Sequence, residues 1–356
     1  LSQTRQIVLM DHHRRSAEFI ENAVLKYLEP YASSTSELVT EVFQYMDTRH
    51  KIEKEEADAL RASTGAKILD VDNLKEGVEN PLDVVAMIPP FKYLEEDLLP
   101  YENLSWIQSF SAGVNTHPLK ALQERGITLT NTRGVHGPQM TDHIMGMILA
   151  FARDFKKAVK NQEKGLWTMD YTLSELTDKE LLIVGAGSIG QLLAKKAKAF
   201  DMRVVGLKRT PEPLTHFDAV LPMETLKEAV KSADYVVMLA PLTKDTRGMI
   251  GEEILYRMKK DAVLINLGRG PLVVEEDLIK ALKEKVIKGA GLDVFAKEPL
   301  PEDSPLWSME QVLLTPHQGG FSDLTNDRAI ALMAENIRRF MAKEPLKNVV
   351  DLSLGY

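Results

Sequence analysis

The stretch "LLIVGAGSIGQLLAKKAKAF", Leu181 to Phe200, runs from an unbroken apolar segment through a glycine-punctuated turn into a helical pattern. A segment apolar at every position suits a strand covered on both faces, as in a parallel sheet. Gly185, Gly187 and Gly190 follow it directly. Each has a reason in that place: Gly185 permits the tight turn, Gly187 lets a pyrophosphate approach the backbone, and Gly190 lets the helix pack closely. Ser188 and Ile189 then stand at a helix N-terminus, whose amides would face phosphates. The glycine spacing alone is weak, but the strand–turn–helix context favours dinucleotide binding over a turn used only for packing.

Outward from this turn the same alternation continues. "RVVGL", "YVVMLA", "AVLINLG", "AGLDVF" and "VLLTP" are further apolar runs, separated by helical patterns such as "EEDLIKALKEKV" (Glu275 to Val286), where Leu278, Ala281 and Leu282 recur at helical spacing behind an acidic first turn. The pattern predicts a doubly wound α/β domain. Before it, "QIVLMD" (Gln6 to Asp11), "DVVAMIP" (Asp83 to Pro89), "LSWIQSF" (Leu104 to Phe110) and "ITLTNT" (Ile127 to Thr132) predict strands of a second, smaller α/β unit. Thr35 to Ala66, rich in Glu and Lys, predicts one or two surface helices with no assigned function.

Dinucleotide folds selective for NAD carry an acidic residue about 20 positions past the first glycine, on the adenosine ribose 2′-hydroxyl. Here that place holds Lys208, followed by Arg209 and Thr210. A carboxylate would repel a 2′-phosphate, whereas a guanidinium with a hydroxyl would bind it, so NADP(H) is favoured and NAD remains possible. The plainer alternative is a pair of solvated loop cations.

Ala240-Pro241, Gly268-Arg269, Asp293 and His317 each fall at or just past the C-terminal end of an apolar run, where open α/β sheets bind ligands. Alone, Arg269 would be a loop arginine, Glu298 a solvated acid before a proline, and His317 an ordinary strand-end histidine. Together beside a nicotinamide site they supply what ketone reduction needs: a cation for a carboxylate, and an imidazole that protonates the carbonyl oxygen near neutral pH with a carboxylate to hold it ready.

These motifs, in this order, resemble the D-2-hydroxyacid dehydrogenase family, in particular its glyoxylate/hydroxypyruvate reductase-like branch. The resemblance runs from "WIQSFSAGVN" (Trp106 to Asn115) through "RGVHGPQMTDHIMGMILAF", "LLIVGAGSIG", "LAPLTKDTRGMI", "LINLGRGPLVVEEDLIKAL" and "GAGLDVFAKEPLPEDSPLW" to "LLTPHQGG" and "NVVDLSLGY". It implies two doubly wound α/β domains: a Rossmann NAD(P)-binding domain at 137–321, and a smaller flavodoxin-like substrate domain made of 1–136 and completed by a C-terminal helix and tail at 322–356. It implies a cleft between them that closes over the ligands. His317 matches the acid/base histidine, Glu298 its carboxylate partner, and Arg269 the arginine on the substrate carboxylate. Ala112 and Gly113 match the amides on the other side of that carboxylate. Asp293 and the backbone near Leu267 match contacts to the nicotinamide carboxamide; Ala240, Pro241 and Thr246 match the cofactor-lining strand end, with Gly319 beyond His317.

The sequence departs from the family in places. "TDH" (Thr141 to His143) replaces an Ala-Glu-His type triplet, the region before Ser111 is long, and "PPFKYL" (Pro89 to Leu94) lacks the usual small-residue loop. Phe91 and Tyr93 either line the pocket or belong to the core. The resemblance suggests a homodimer built on the helix near Asp142 to Asp154, whose "IMGMILAFA" is too apolar for an exposed face, although a buried helix would look the same.

The expected activity is NADPH-dependent reduction of a small 2-keto acid to the D-2-hydroxy acid, with His317 giving the proton. Two alternatives stay open: NAD-dependent oxidation of D-3-phosphoglycerate, which the absence of a further domain after Tyr356 disfavours, and a dinucleotide-sensing protein like the C-terminal-binding corepressors that share the Arg–Glu–His set. Composition is ordinary for a globular chain, with 44% hydrophobic and 27% charged among 356 residues. A net charge of -8 argues against nucleic acid. The lack of cysteine excludes disulfides and thiolate chemistry and fits a reducing cytoplasm; no metal site is expected. No apolar run approaches the roughly 20 residues of a membrane span, and a start at Leu1 without a signal-peptide pattern is expected to be a trimmed one.

Overall fold

The computed structural model describes residues 6–10, 54–71, 80–89, 93–114 and 116–355. They divide into two compact units, one formed by 1–135 with 323–356, the other by 136–322.

The first unit is built on a parallel sheet of β1 (Gln6–Met10), β2 (Ile68–Val71), β3 (Val84–Ile88), β4 (Trp106–Gln108) and β5 (Thr128–Thr130), in the order β2-β1-β3-β4-β5. That order is flavodoxin-like and puts a topological switch point beside β1 and β3. Of the helices expected between Thr35 and Ala66, residues 11–53 lie outside the described residues, and Lys54–Thr64 is a helix. It is packed: Ala57 and Leu60 are buried in one cluster with Met333 and Ile337 of the helix Thr325–Ala342. Tyr93 belongs to the core beside Leu98, Ile107 and Leu122, and Phe91 lies outside the described residues.

The second unit carries β6 (Glu180–Val184), β7 (Arg203–Lys208), β8 (Ala219–Pro222), β9 (Tyr235–Met238), β10 (Val263–Asn266), β11 (Gly289–Leu292) and β12 (Val312–Leu314). All pair in parallel, in the order β12-β11-β10-β9-β6-β7-β8. The chain lays β6, β7 and β8 in one direction, then returns to start β9 on the other side of β6. This is the doubly wound Rossmann arrangement, with its switch point between β6 and β9. Every residue of β6, β9, β10 and β11 is buried, which is why those segments are apolar throughout.

The apolar helix Gly137–Ala152 is accounted for by this core, because Ile144, Met145, Met147, Ile148 and Ala152 pack with Leu181, Ile183 and Ile265. A group of exposed apolar side chains comes just after it: Phe155, Val159, Leu166, Leu173, and above all Trp167 and Met169, 92% and 85% exposed. Among the described residues no helix is long and apolar enough to cross a membrane.

Candidate active site

At the switch point, Gly185 has φ +109, and a Cβ there would lie 2.6 Å from the backbone of Leu239 and Ala240. The turns after β6 and β9 therefore abut, and only glycine allows it. A Cβ on Gly190 would meet the Gly185 carbonyl at 2.7 Å, so the helix Ser188–Lys198 sits tight on the turn. Gly187 differs, since nothing lies within 4 Å of a Cβ built on it. That open space at a helix N-terminus, bounded by Ser188 and Ile189, fits a pyrophosphate, which would meet unpaired amides and the positive end of the helix dipole. Beside it the loop after β9 is pinned by Thr246, whose hydroxyl donates to the Pro241 carbonyl at 2.6 Å; Ala240 is buried and Pro241 exposed.

Three neighbouring strands deliver the charged residues. After β10, the Asn266 side chain accepts from the Gly268 amide and donates to the Arg269 carbonyl, fixing the Leu267–Arg269 turn. A Cβ on Gly270 would fall 1.8 Å from the Phe295 carbonyl oxygen, so this turn runs against the loop after β11. Burial pulls the Arg269 guanidinium below its ordinary pKa and the charge of Glu298 works against that; an arginine remains cationic all the same.

Past β12, His317 Nδ1 lies 2.6 Å from Glu298 Oε2, while Glu298 Oε1 accepts from the Phe295 amide at 2.9 Å. Burial alone would raise the Glu298 carboxyl; the hydrogen bond and charge of His317, the Phe295 amide and the Arg269 charge outweigh it and hold the carboxyl below its ordinary value. A carboxylate only accepts, so His317 donates from Nδ1–H and keeps Nε2 for another partner. The imidazole is 41% exposed, so Nε2 can be reached by a ligand.

His317 has φ 49, a left-handed conformation that costs a residue other than glycine on the order of 1 kcal/mol or more. Asp293 enforces it. Its buried carboxylate accepts from the Gln318 and Gly319 amides at 2.9 Å each and from the Thr315 hydroxyl at 2.5 Å, while its carbonyl accepts from the His317 amide at 2.8 Å. Sequence reading placed Asp293 at the cofactor and missed this anchoring. It also missed His143, whose Nε2 is 3.0 Å from Thr315 Oγ1.

Lys208 closes β7, which pairs with β6, and its ammonium forms an ion pair with Glu212 four residues on; Arg209 and Thr210 follow, both exposed. Ala112 and Gly113 belong to the first unit, in the loop after β4. There the carbonyl of Ala112 accepts from Asn131 at 2.9 Å and that of Gly113 from the Ser111 hydroxyl at 2.6 Å. Neither the Ala112 nor the Gly113 amide donates to another described residue. Among the described residues no group of His, Asp and Glu is arranged to hold a metal ion.

Residues 1–64 match the model of the DHH family, N-terminal domain. The triplet Asp11-His12-His13 within it lies outside the described residues. Sequence reading passed over it, although adjacent Asp and His are metal-ligand types worth marking. Residues 145–319 match the model of the D-isomer specific 2-hydroxyacid dehydrogenase, NAD binding domain. A D-3-phosphoglycerate dehydrogenase of Methanocaldococcus jannaschii is 33% identical over 84% of this chain, which spans only 56% of that relative's length. A glyoxylate reductase of Korarchaeum cryptofilum is 33% identical over 84% of this chain and 88% of its own. The crystal structure of an NADPH-dependent glyoxylate/hydroxypyruvate reductase from Sinorhizobium meliloti, in complex with NADP and sulfate, is 28% identical with a TM-score of 0.74, covering 86% of this chain and 98% of that one. Sequence identity sustained over most of a relative's length, on the sheet order and strand-end residues described above, makes this chain a member of the D-isomer specific 2-hydroxyacid dehydrogenase family, an NAD(P)-dependent oxidoreductase.

Proposed function

We propose that the protein reduces a small 2-keto acid of the glyoxylate or hydroxypyruvate kind to the D-2-hydroxy acid, with NADPH preferred over NADH. The observation that carries this reading is the His317–Glu298 pair, 2.6 Å apart, at the same carboxyl ends of the parallel strands as the Gly185 turn. NADP(H), when bound, supplies the hydride that adds to the carbonyl carbon. Arg269 forks onto the substrate carboxylate and polarises the ketone. His317, charged and held by Glu298, gives its Nε2 proton to the carbonyl oxygen as the C=O π bond opens. Glu298 stabilises the imidazolium before transfer and keeps Nδ1 protonated afterward. Asp293 holds the turn that aims the imidazole. Leu267, Ala240, Pro241, Thr246 and Gly319 line the nicotinamide end, and the amides of Ala112 and Gly113 in the first unit, the substrate domain, take up the carboxylate.

Lys208, Arg209 and Thr210 would receive the 2′-phosphate, with Glu212 releasing Lys208 as the phosphate arrives. The exposed apolar group around Trp167 and Met169 supports a homodimer. Initial rates with NADPH and NADH over glyoxylate, hydroxypyruvate, pyruvate, branched 2-keto acids and 3-phosphohydroxypyruvate test the reading. Faster turnover with NADPH on a small 2-keto acid is expected. Preference for NADH would remove the role of Lys208 and Arg209. Turnover confined to the phosphorylated substrate would favour the phosphoglycerate reading that the Methanocaldococcus relative suggests, and no turnover at all would favour a sensing protein.

A further inference from the structure

The first unit holds a buried histidine that the proposed reaction does not use. His117 is 8% exposed. Its Nδ1 lies 2.8 Å from the Tyr93 hydroxyl and its Nε2 3.0 Å from Ser109 Oγ. Ser109 Oγ in turn lies 3.1 Å from Ser111 Oγ, which reaches the Gly113 carbonyl at 2.6 Å.

The direction of every proton in this row follows from its last member. A carbonyl only accepts, so the Ser111 hydroxyl donates to Gly113. Its single proton is then spent, and Ser109 must donate to Ser111. The Ser109 proton is spent likewise, so His117 donates to Ser109 from Nε2–H. Nδ1 is left as the acceptor, and it takes the Tyr93 proton. The imidazole is neutral in this arrangement, and burial, which lowers the His117 pKa to about 4, agrees with it. Burial also raises the Tyr93 phenol, keeping its proton in place.

The row ends in a loop whose four successive carbonyls are all occupied. Phe110 accepts from the Thr132 hydroxyl at 2.9 Å, Ser111 from the Thr132 amide at 3.2 Å, Ala112 from Asn131, and Gly113 from Ser111. The Ser111 amide donates to Ser109 Oγ at 3.2 Å. With the carbonyls tied and that amide used, the peptide planes are set, and the amides of Ala112 and Gly113 donate to no other described residue.

We propose that His117, as the neutral Nε2–H tautomer between Tyr93 and Ser109, is a positioning residue: through Ser109 and Ser111 it sets the two amides that receive the substrate carboxylate. The inference rests on the reading that Ala112 and Gly113 bind that group. It assigns the row to substrate binding and leaves hydride transfer and cofactor binding untouched.

The test compares Ser111→Ala, Ser111→Thr and His117→Phe with the wild type in KM and kcat for the preferred 2-keto acid, inhibition by oxalate, and NADPH affinity. Ser111→Ala and His117→Phe should raise KM and the oxalate inhibition constant together by about tenfold, with kcat and NADPH affinity within about twofold. Ser111→Thr, which keeps the hydroxyl, should return KM to the wild-type range. Should His117→Phe fail to fold, the half-buried Ser111 pair decides alone. Wild-type turnover with an unchanged KM in Ser111→Ala, or a loss confined to kcat, overturns the inference and spares the proposed function. A wild type that turns over no 2-keto acid overturns both.

Discussion

Two histidines divide the proposed chemistry of this protein, and they differ in almost everything but their ring. His317 stands on a strand end of the second unit, partly exposed, with a carboxylate on Nδ1. His117 is sealed in the first unit between two hydroxyls. An anionic partner favours the imidazolium and makes a residue able to give up a proton; neutral partners in a low-dielectric core favour the neutral ring and make a fixed relay of hydrogen bonds. In the proposed reaction the same side chain serves as an acid in one place and a spacer in the other, and its hydrogen-bond partners set the difference.

The largest expected effect separates them by function. Replacing His317 by Ala should lower turnover about a thousandfold, within the usual range for losing a general acid, while NADPH affinity moves by about twofold or less. His117→Phe should leave kcat near that of the wild type. Steady-state kinetics with a fluorescence titration of NADPH check both, and a comparable kcat loss in the two variants would break the division.

The next effect sharpens it through stability. The folded protein leaves His117 neutral down to about pH 4, whereas the unfolded chain takes up a proton near the ordinary value of 6.5. Between those values the unfolded state binds more protons, so stability rises with pH. The contribution is complete above about pH 6.5 and is lost as pH falls toward 4, on the order of 3 kcal/mol in all. Urea unfolding at about pH 4.5 and about pH 7.5 should therefore show a steeper loss in the wild type than in His117→Gln. Parallel losses in the two proteins would mean that His117 already carries a proton when folded.

How far these features could be read from the chain follows from what each depends on. Strands buried on both faces must be apolar throughout, so "LLIVG" and "AVLINLG" declared the second sheet, and the residues after each run marked the strand ends. β8 is a short apolar run, only half-buried at the edge of the sheet, and β2 is interrupted by Asp70, so neither stood out as a strand buried on both faces. The positions of Arg269, Glu298 and His317 near strand ends were legible because each follows an apolar run in the chain. The partners were not: Tyr93 meets His117 across 24 positions and His143 meets Thr315 across 172, distances over which no sequence period operates. Lys208 drew attention as a cation at the right place, whereas its pairing with Glu212 depends on how the loop after β7 turns. The apolar helix Gly137–Ala152 pointed equally to an interface or a core, and only packing separates the two.

The smallest effect tests whether the second unit's network acts on the proton rather than on binding. The Thr315 hydroxyl gives its proton to Asp293, which can only accept, and therefore accepts from His143 Nε2–H. Thr315→Val keeps the shape and removes that link. Asp293 would still hold the Gln318 and Gly319 amides, so the left-handed turn at His317 should survive with slack in its aim. The loss of the two part-buried hydrogen bonds of the Thr315 hydroxyl should be about 1–2 kcal/mol, seen as a several-fold fall in kcat at constant KM. Ser111→Ala in the first unit should show the reverse, a raised KM at constant kcat. Were Thr315→Val to raise KM instead, the strand-end network would be serving the substrate carboxylate, and the assignment of binding to the His117 row and proton transfer to the His317 row would no longer hold.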